Sequence, residues 1–305
     1  MKKIIQILGP TGVGKSQIAV QLSQKLNGEV ISADSVQVYR GFDIGTSKIK
    51  DDEKSGIPHH LIDVLDPSEQ FNVNRFLKLS VKVVDKIDMR GKLPVVCGGT
   101  ALYLRAMVKG IFEDNKDKRI SRDKLKQIED KYGISYLWNR LKKHDHEYAE
   151  KIGKNDKVRI IRGLEIYYNN GVIPSNISEI TSSPFSEYKF IRIGLKLSRE
   201  LMYDRINKRV DRMIGEGLFE EVENLRKIHG AECPPMASIG YREINQVIDK
   251  IIHPGKAIEL IKQHSRNFAK RQMTWFNGEK NIVWFDPEDK NGVINFVKNE
   301  LNEQA

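Results

Sequence analysis

Apolar residues in this chain fall into short runs separated by helical patterns. Residues 4–8 (IIQIL) form an apolar run that ends at a glycine-rich turn. Residues 16–26 then place Ile18, Ala19, Leu22 and Leu26 at helical spacing, and Asn27-Gly28 predicts the helix end. Residues 29–32 read as a second strand, and 58–67 (PHHLIDVLDP) as strand and turn. Residues 72–89 predict a helix with Val73, Phe76, Leu77, Val81 and Val84 on one side. A buried strand is expected at 94–97, followed by Gly98-Gly99-Thr100 and another helix. Alternating strands and helices with short apolar strands indicate an α/β fold with a parallel sheet.

The pattern changes near residue 112. From 115 to 170 the chain is charged and helical, with no buried-strand signature, and reads as a helical insertion. Residues 188–197 (YKFIRIGLKL) predict a strand returning to the sheet. Helices are expected over about 198–228 and 255–276, and 281–287 (NIVWFDP) reads as a last strand or extended segment. The expected division is a core of 1–113 with 188–305 and an insertion of 114–187.

The chain has 305 residues, 39% hydrophobic and 30% charged, which bounds it as one large or two ordinary globular domains. Lys and Arg number 51 against 41 Asp and Glu, a net +10 that leans towards a polyanionic partner. Cys97 and Cys233 are far apart and in no metal-ligand spacing, which fits a reducing cytosol and a cytoplasmic protein. The opening MKKIIQIL is too short in its apolar part for a secretory leader. No run reaches the ~18 apolar residues of a membrane span.

Residues 9–16 read GPTGVGKS and match G-x-x-x-x-G-K-[ST] through Gly9, Gly14, Lys15 and Ser16. Glycines let the backbone wrap an anion, and the N-terminus of the following helix adds partial positive charge. Lys15 supplies an ammonium for a terminal phosphate, and Ser16 a hydroxyl for Mg²⁺. An NTPase would add a strand ending in a carboxylate, but residues 94–97 run into Gly-Gly-Thr. Asp34, after the second strand, is the acid placed to face the loop, because parallel strands bring their carboxyl ends to one edge. Its residue type suits a general base and equally a helix cap or an indirect Mg²⁺ partner.

Arg205, Lys208, Arg209 and Arg212 share one helical face, with Ile206, Val210 and Met213 on the adjoining one. In residues 157–168, Val158, Ile161, Leu164 and Tyr168 make the expected buried stripe, with Arg159 and Arg162 projecting together. Lys262, Arg266 and Lys270 are spaced by four, followed by Arg271 and Gln272. Any one such stripe is ordinarily a solvated face; together, beside a phosphate loop, they favour a nucleic-acid backbone or a pyrophosphate. His59-His60 reads as a hydrogen-bonding pair rather than a metal site, and Trp275-Phe276 as core rather than a stacking platform.

These motifs come in an order that resembles the bacterial tRNA dimethylallyltransferases (tRNA isopentenyltransferases). The matching stretches are GPTGVGKS at 9, ISADSVQVYRGFDIGTSK at 31, PHHLIDVLDPSE at 58, GGTALYLRA at 98, VRIIRGLEIY at 158, RINKRVDRMIGEGLFEEV at 205, SIGYREI at 238 and AKRQMTWF at 269. The phosphate loop alone is a weak signal; ADS-x-QVYRG-x-DIGT with PHHLID is specific. The resemblance implies a P-loop NTPase-like parallel sheet with flanking helices and a helical insertion domain that clamps tRNA. It implies transfer of a dimethylallyl group from dimethylallyl diphosphate to N6 of the adenosine 3′ of the anticodon, in tRNAs reading codons that start with U. Mg²⁺ is the implied cofactor, and the protein would act as a cytoplasmic monomer with no membrane partner.

Residue by residue, Asp34 falls on the family's general base, with Lys15 and Thr100 also catalytic. Gly9, Pro10, Thr11, Gly12, Val13, Gly14, Lys15, Ser16, Arg205 and Arg209 fall on donor-diphosphate positions, with Ser16 also the metal ligand. Asp34, Ser35, Val36, Gln37, Thr100, Arg122, Arg159, Arg162, Lys270, Arg271 and Gln272 fall on tRNA-binding positions. Three residues depart from the common pattern: Val36 replaces Arg or Met, Cys97 replaces an apolar residue, and Gly163 replaces Ala at a helix cost of ~1 kcal/mol. A small-molecule or nucleotide kinase would share the loop and Asp34 but leave the basic C-terminal helices without a role. An isopentenyltransferase acting on free adenine nucleotide would need no tRNA clamp. A non-catalytic RNA-binding protein would have no use for Lys15, Ser16 and Asp34.

Overall fold

The computed structural model describes residues 2–113 and 120–302. Strand β1 (Lys2–Leu8) buries every residue from Ile4 to Leu8, because both faces of its sheet are covered. The polar member of that run, Gln6, donates to the Leu104 carbonyl and accepts from Arg192. The chain then enters α1 (Lys15–Leu26) through Gly14 at φ 98°. Asn27, at φ 50°, is the left-handed residue that ends the helix, while Gly28 already belongs to β2 (Gly28–Ser32). The glycine is needed there for packing: a Cβ on Gly28 would lie 2.9 Å from the Leu93 carbonyl oxygen.

A short α2 (Asp51–Lys54) precedes β3, which is only His59–His60. His59 Nδ1 contacts the Ile57 carbonyl, and His60 Nε2 contacts Glu29, the hydrogen-bonding role expected of the pair. Helix α3 (Val73–Met89) starts at Asn72, whose side chain accepts from the Arg75 N–H. Strand β4 (Leu93–Gly98) and helix α4 (Ala101–Lys109) follow.

Contacts divide the chain into two units, 1–108 with 184–305, and 109–183. The second is helical: α5 (Arg122–Tyr132), α6 (Ile134–His144), α7 (His146–Ile152), α8 (Lys157–Asn170) and a single turn, α9 (Ile177–Ile180). Residues 114–119, where the insertion was expected to begin, lie outside the described residues. Leu125, Leu137, Trp138, Leu141, Ile160, Ile161 and Leu164 form the core of this unit. Val158, expected in that stripe, is 74% exposed; the buried face of α8 begins at Ile160. Gly163 is more than a weak helix former. A Cβ there would approach Leu141 and Tyr148 to 3.0 Å, so its absence lets α8 pack closely.

The chain returns through β5 (Tyr188–Leu195) to α10 (Arg199–Gly215) and α11 (Leu218–His229). These two helices replace the run expected over 198–228, divided at Gly217 with φ 98°. Helix α12 (Tyr241–Ile248), the long α13 (Pro254–Asn277), β6 (Val283–Phe285) and α14 (Lys290–Asn302) complete the chain. Phe276 is core, as expected, while Trp275 is half-buried with Arg105 over its ring.

The six strands are all parallel, in the order β3-β2-β4-β1-β5-β6. From β1 the chain crosses β4 to reach β2; from β4 it crosses β1 to reach β5. The direction of winding therefore reverses between β1 and β4, and the carboxyl ends of strands at such a point form a ligand crevice. No helix among the described residues is long and apolar enough to cross a membrane.

Candidate active site

Three loops meet at that crevice: the phosphate loop after β1, the Asp34 loop after β2, and Gly99-Thr100 after β4. Their close approach depends on missing side chains. A Cβ on Gly9 would lie 2.6 Å from the Leu195 carbonyl oxygen, and one on Gly98 would overlap the Ala33 carbonyl. The Ala33 N–H donates to the Cys97 carbonyl and the Thr100 N–H to the Ala33 carbonyl, which locks the last two loops together.

The N–H groups of Gly12, Val13, Gly14, Lys15 and Ser16 make no hydrogen bond with any described residue. They form a run of donors at a helix N-terminus, the arrangement that binds phosphate oxygens. Lys15 Nζ donates to the Pro10 carbonyl at 2.7 Å. Burial lowers its pKa to about 8; Cys97 and Asp34 oppose the fall and Arg209 adds to it. Burial likewise raises the Cys97 thiol to about 11. Each group partly offsets the other's shift: Cys97 raises Lys15 and Lys15 lowers Cys97. The Ser16 side chain is exposed.

Arg209 reaches the loop from α10. Its Nη1 donates to Thr11 Oγ1 at 2.5 Å, its Nε to Ser47 Oγ at 2.7 Å and its Nη2 to the Thr46 carbonyl at 3.2 Å. Burial lowers this guanidinium to about 10, with Asp34 resisting and Arg212 contributing. The rest of the expected stripe behaves otherwise. Arg205 pairs with Glu288 at 2.8 Å, Lys208 with Asp204 at 2.8 Å, and Arg212 is exposed. Only Arg209, among these four, points into the crevice.

Asp34 uses one oxygen as a local cap: Oδ1 accepts from Val36 N–H at 2.8 Å and Gln37 N–H at 3.2 Å. Its other oxygen accepts no hydrogen bond from any described residue. The cap and the base are therefore compatible roles, one oxygen fixing the side chain and the other left for chemistry. Gln37 turns away; its amide donates to the Thr46 carbonyl at 3.2 Å and accepts from Ser32 Oγ.

A cavity of about 330 Å³ opens beside these groups. Thr11, Asp34, Thr100, Arg209 and Arg271 form its polar side, with Ser35 and Val36 at its edge; Ile206, Val210, Met213, Ile261 and Phe268 form its apolar side. Ile206 sits against the loop, its Cγ1 3.3 Å from where a Cβ on Gly12 would be. Val210 and Met213 continue that face of α10 away from the loop. The cavity thus runs from Thr11 and Arg209, beside the phosphate loop, along an apolar wall and past a carboxylate.

Of the residues assigned to tRNA, Arg271 lines this cavity, Lys270 is exposed, and Gln272 is buried against backbone. Arg122, Arg159 and Arg162 belong to the helical unit. There Arg122 pairs with Glu165 at 2.7 Å, Arg159 with Asp156 at 3.3 Å and Arg162 with Glu165 at 3.8 Å.

Two groups escaped sequence reading. Glu221 of α11 accepts the N–H groups of Asp43, Ile44 and Gly45 and the hydroxyl of Tyr241, which fixes the loop that presents Thr46 and Ser47 to Arg209. A Cβ on Gly45 would lie 2.5 Å from the Tyr241 ring, so that close contact needs glycine. Ala237 to Gly240 form part of the cavity wall. Both groups fall in or beside the quoted SIGYREI and RINKRVDRMIGEGLFEEV stretches, but neither stretch signals these contacts on its own.

The model of the IPP transferase family matches residues 37–279. A tRNA dimethylallyltransferase of Carboxydothermus hydrogenoformans is 43% identical over 93% of this chain and 92% of its own. The crystal structure of the tRNA isopentenylpyrophosphate transferase of Bacillus halodurans superposes with a TM-score of 0.76 at 39% identity, covering 99% of this chain and 98% of that one. A eukaryotic dimethylallyltransferase solved acting on tRNA gives 0.85 at 31% identity, over 100% of this chain and 81% of that one. With the family model over residues 37–279 and a relative 43% identical along 93% of its length, the chain belongs to the IPP transferase family.

Proposed function

We infer that this chain transfers a dimethylallyl group from dimethylallyl diphosphate to the N6 amine of the adenosine 3′ of the anticodon in tRNA, releasing diphosphate. The single observation that carries this reading is the cavity, which sets Thr11 of the phosphate loop and Arg209 beside an apolar wall and a carboxylate with one unused oxygen. A nucleotide kinase has no need of the apolar wall.

In this reading the diphosphate sits on the N–H groups of residues 12–16, with Lys15 and Arg209 supplying positive charge. The five-carbon chain lies along Ile206, Val210 and Met213. The amine nitrogen attacks C1 of the chain, the C1–O bond breaks, and its electron pair leaves with the diphosphate. Asp34 takes the amine proton on its free oxygen. Charge grows on the leaving group as the bond breaks, so preorganised donors there lower the barrier. The target base is stacked in an anticodon loop and must turn out to reach the cavity, where Thr100 and Arg271 stand at the wall.

Mg²⁺ would add further neutralisation of the diphosphate. Ser16, with an exposed side chain at the start of α1, would hold it. Among the described residues no cluster of His, Cys, Asp and Glu forms a protein cage. Both cysteines are free and buried, which accords with the proposed cytoplasmic location; a monomer is the proposed state.

The test is transfer of labelled dimethylallyl to an anticodon stem-loop containing consecutive adenosines, with free AMP as competing acceptor. Label in the stem-loop alone is expected. Label on AMP moves the function to free-nucleotide prenylation, and ATP turnover without label refutes the reading.

A further inference from the structure

Gln272 resembles a tRNA contact by position, yet it is 5% exposed and both ends of its amide are taken by backbone. Its Oε1 accepts the Thr11 N–H at 2.8 Å, and its Nε2 donates to the Gly99 carbonyl at 2.8 Å. Those two atoms belong to the phosphate loop and to the turn before Thr100. A side chain from α13 therefore bridges the loop after β1 and the loop after β4 across the point where the winding reverses.

We propose that Gln272 is a positioning residue for the donor: it fixes the phosphate loop in its anion-binding form and does not touch tRNA. Three observations converge. Thr11 is the residue just before the free run of N–H groups, and its own N–H is turned aside by Gln272. Thr11 Oγ1 is held at the same time by Arg209, so the residue is fixed on both its backbone and its side chain. On the other side, a Cβ on Gly99 would overlap Gln272 Nε2, so the glycine leaves room for the amide. An amide is the one uncharged group of this length that accepts at one end and donates at the other. Buried as it is, losing either bond leaves a backbone group unsatisfied.

This inference rests on the prenyl-transfer reading, and wild-type transfer is the control that separates the two. If wild type moves no label, the functional reading fails; the inference is judged on wild type that does. Gln272→Met keeps the length and removes both bonds. It is expected to raise the donor KM and lower kcat, a combined loss in kcat/KM of about ten- to a hundredfold. The dissociation constant for tRNA should stay within about twofold. Gly99→Ala displaces the amide from the other side and should give the same split. The double variant should be little worse than either alone, because both break one unit. A weaker tRNA Kd with unchanged donor kinetics would overturn the proposal and return Gln272 to the tRNA surface. Amide hydrogen exchange needs no variant: the Thr11 N–H of donor-free wild type should be protected, and rapid exchange there would equally overturn it.

Discussion

In the proposed function Lys15 is an ammonium whose charge the donor diphosphate neutralises, and its removal should separate stability from activity. Burial takes its pKa from 10.5 to about 8, a preference for the neutral form of about 3 kcal/mol. Lys15→Met relieves that strain but gives up the bond to the Pro10 carbonyl, so the net gain at pH 7 should be about 1–2 kcal/mol in the donor-free protein. The pH dependence has a definite sign. The folded pKa lies below the unfolded one, so the unfolded chain binds more protons between about 8 and 10.5. Wild-type stability therefore rises with pH through that window, and the advantage of Lys15→Met should shrink there. Urea unfolding at several pH values reads this directly. Activity should move the opposite way, because the diphosphate needs the charged form: donor kcat/KM should fall about tenfold per pH unit above pH 8. Lys15→Arg, which does not deprotonate in this range, should flatten that limb. A methionine variant less stable than wild type at pH 7, or an arginine variant with an unchanged alkaline limb, would refute the reasoning.

Other outcomes follow from neighbouring geometry. Arg209→Lys keeps a charge but cannot hold Thr11, Ser47 and the Thr46 carbonyl together, so donor kcat/KM should drop about a hundredfold, measured by steady-state transfer. Glu221→Gln weakens a carboxylate that accepts three backbone N–H groups and a phenol; a loss of about 1–3 kcal/mol in urea unfolding is expected. Glu29 is 2% exposed; burial pushes its carboxyl up, but hydrogen bonds from Arg90, His60 and Lys92 overcome this and hold it at about 2. Its folded pKa lies below the unfolded value, so its contribution is present above about 4.5 and lost as pH falls towards 2. Glu29→Gln should cost up to about 3 kcal/mol at pH 7 and about 1–1.5 kcal/mol at pH 3.

The α/β character and the phosphate loop were legible because they are local. The runs around Ile5 and Val95 are buried on both faces, and a loop of fixed glycine spacing leads into a helix. Helix boundaries depended on single residues: Gly217 breaks what periodicity alone presents as a continuous run, and Val158 looks apolar but lies two residues before Ile160, where the buried face of α8 begins. Helix α14 could have been read from Val293, Ile294 and Val297, which are buried at helical spacing. The basic stripes were visible, but not which members reach the crevice. Arg209 and Arg205 lie one turn apart, and only their partners, the loop hydroxyls against Glu288, distinguish them. Glu221 and the bridging role of Gln272 depend on contacts across 176 and 261 residues of sequence. No local pattern encodes such pairings.

The most direct measurement is single-turnover transfer from labelled dimethylallyl diphosphate to the anticodon stem-loop, with released diphosphate counted alongside, in wild type and Asp34→Asn. Asparagine keeps an acceptor for the Val36 and Gln37 N–H groups but cannot take the proton. Wild type should release one diphosphate for each prenylated adenosine. Asp34→Asn should bind donor and stem-loop as wild type does, yet transfer at least about a hundredfold more slowly. Transfer at the wild-type rate by Asp34→Asn, or diphosphate release without prenylated RNA, would contradict the assignment of this crevice as a prenyl-transfer site with Asp34 as its base.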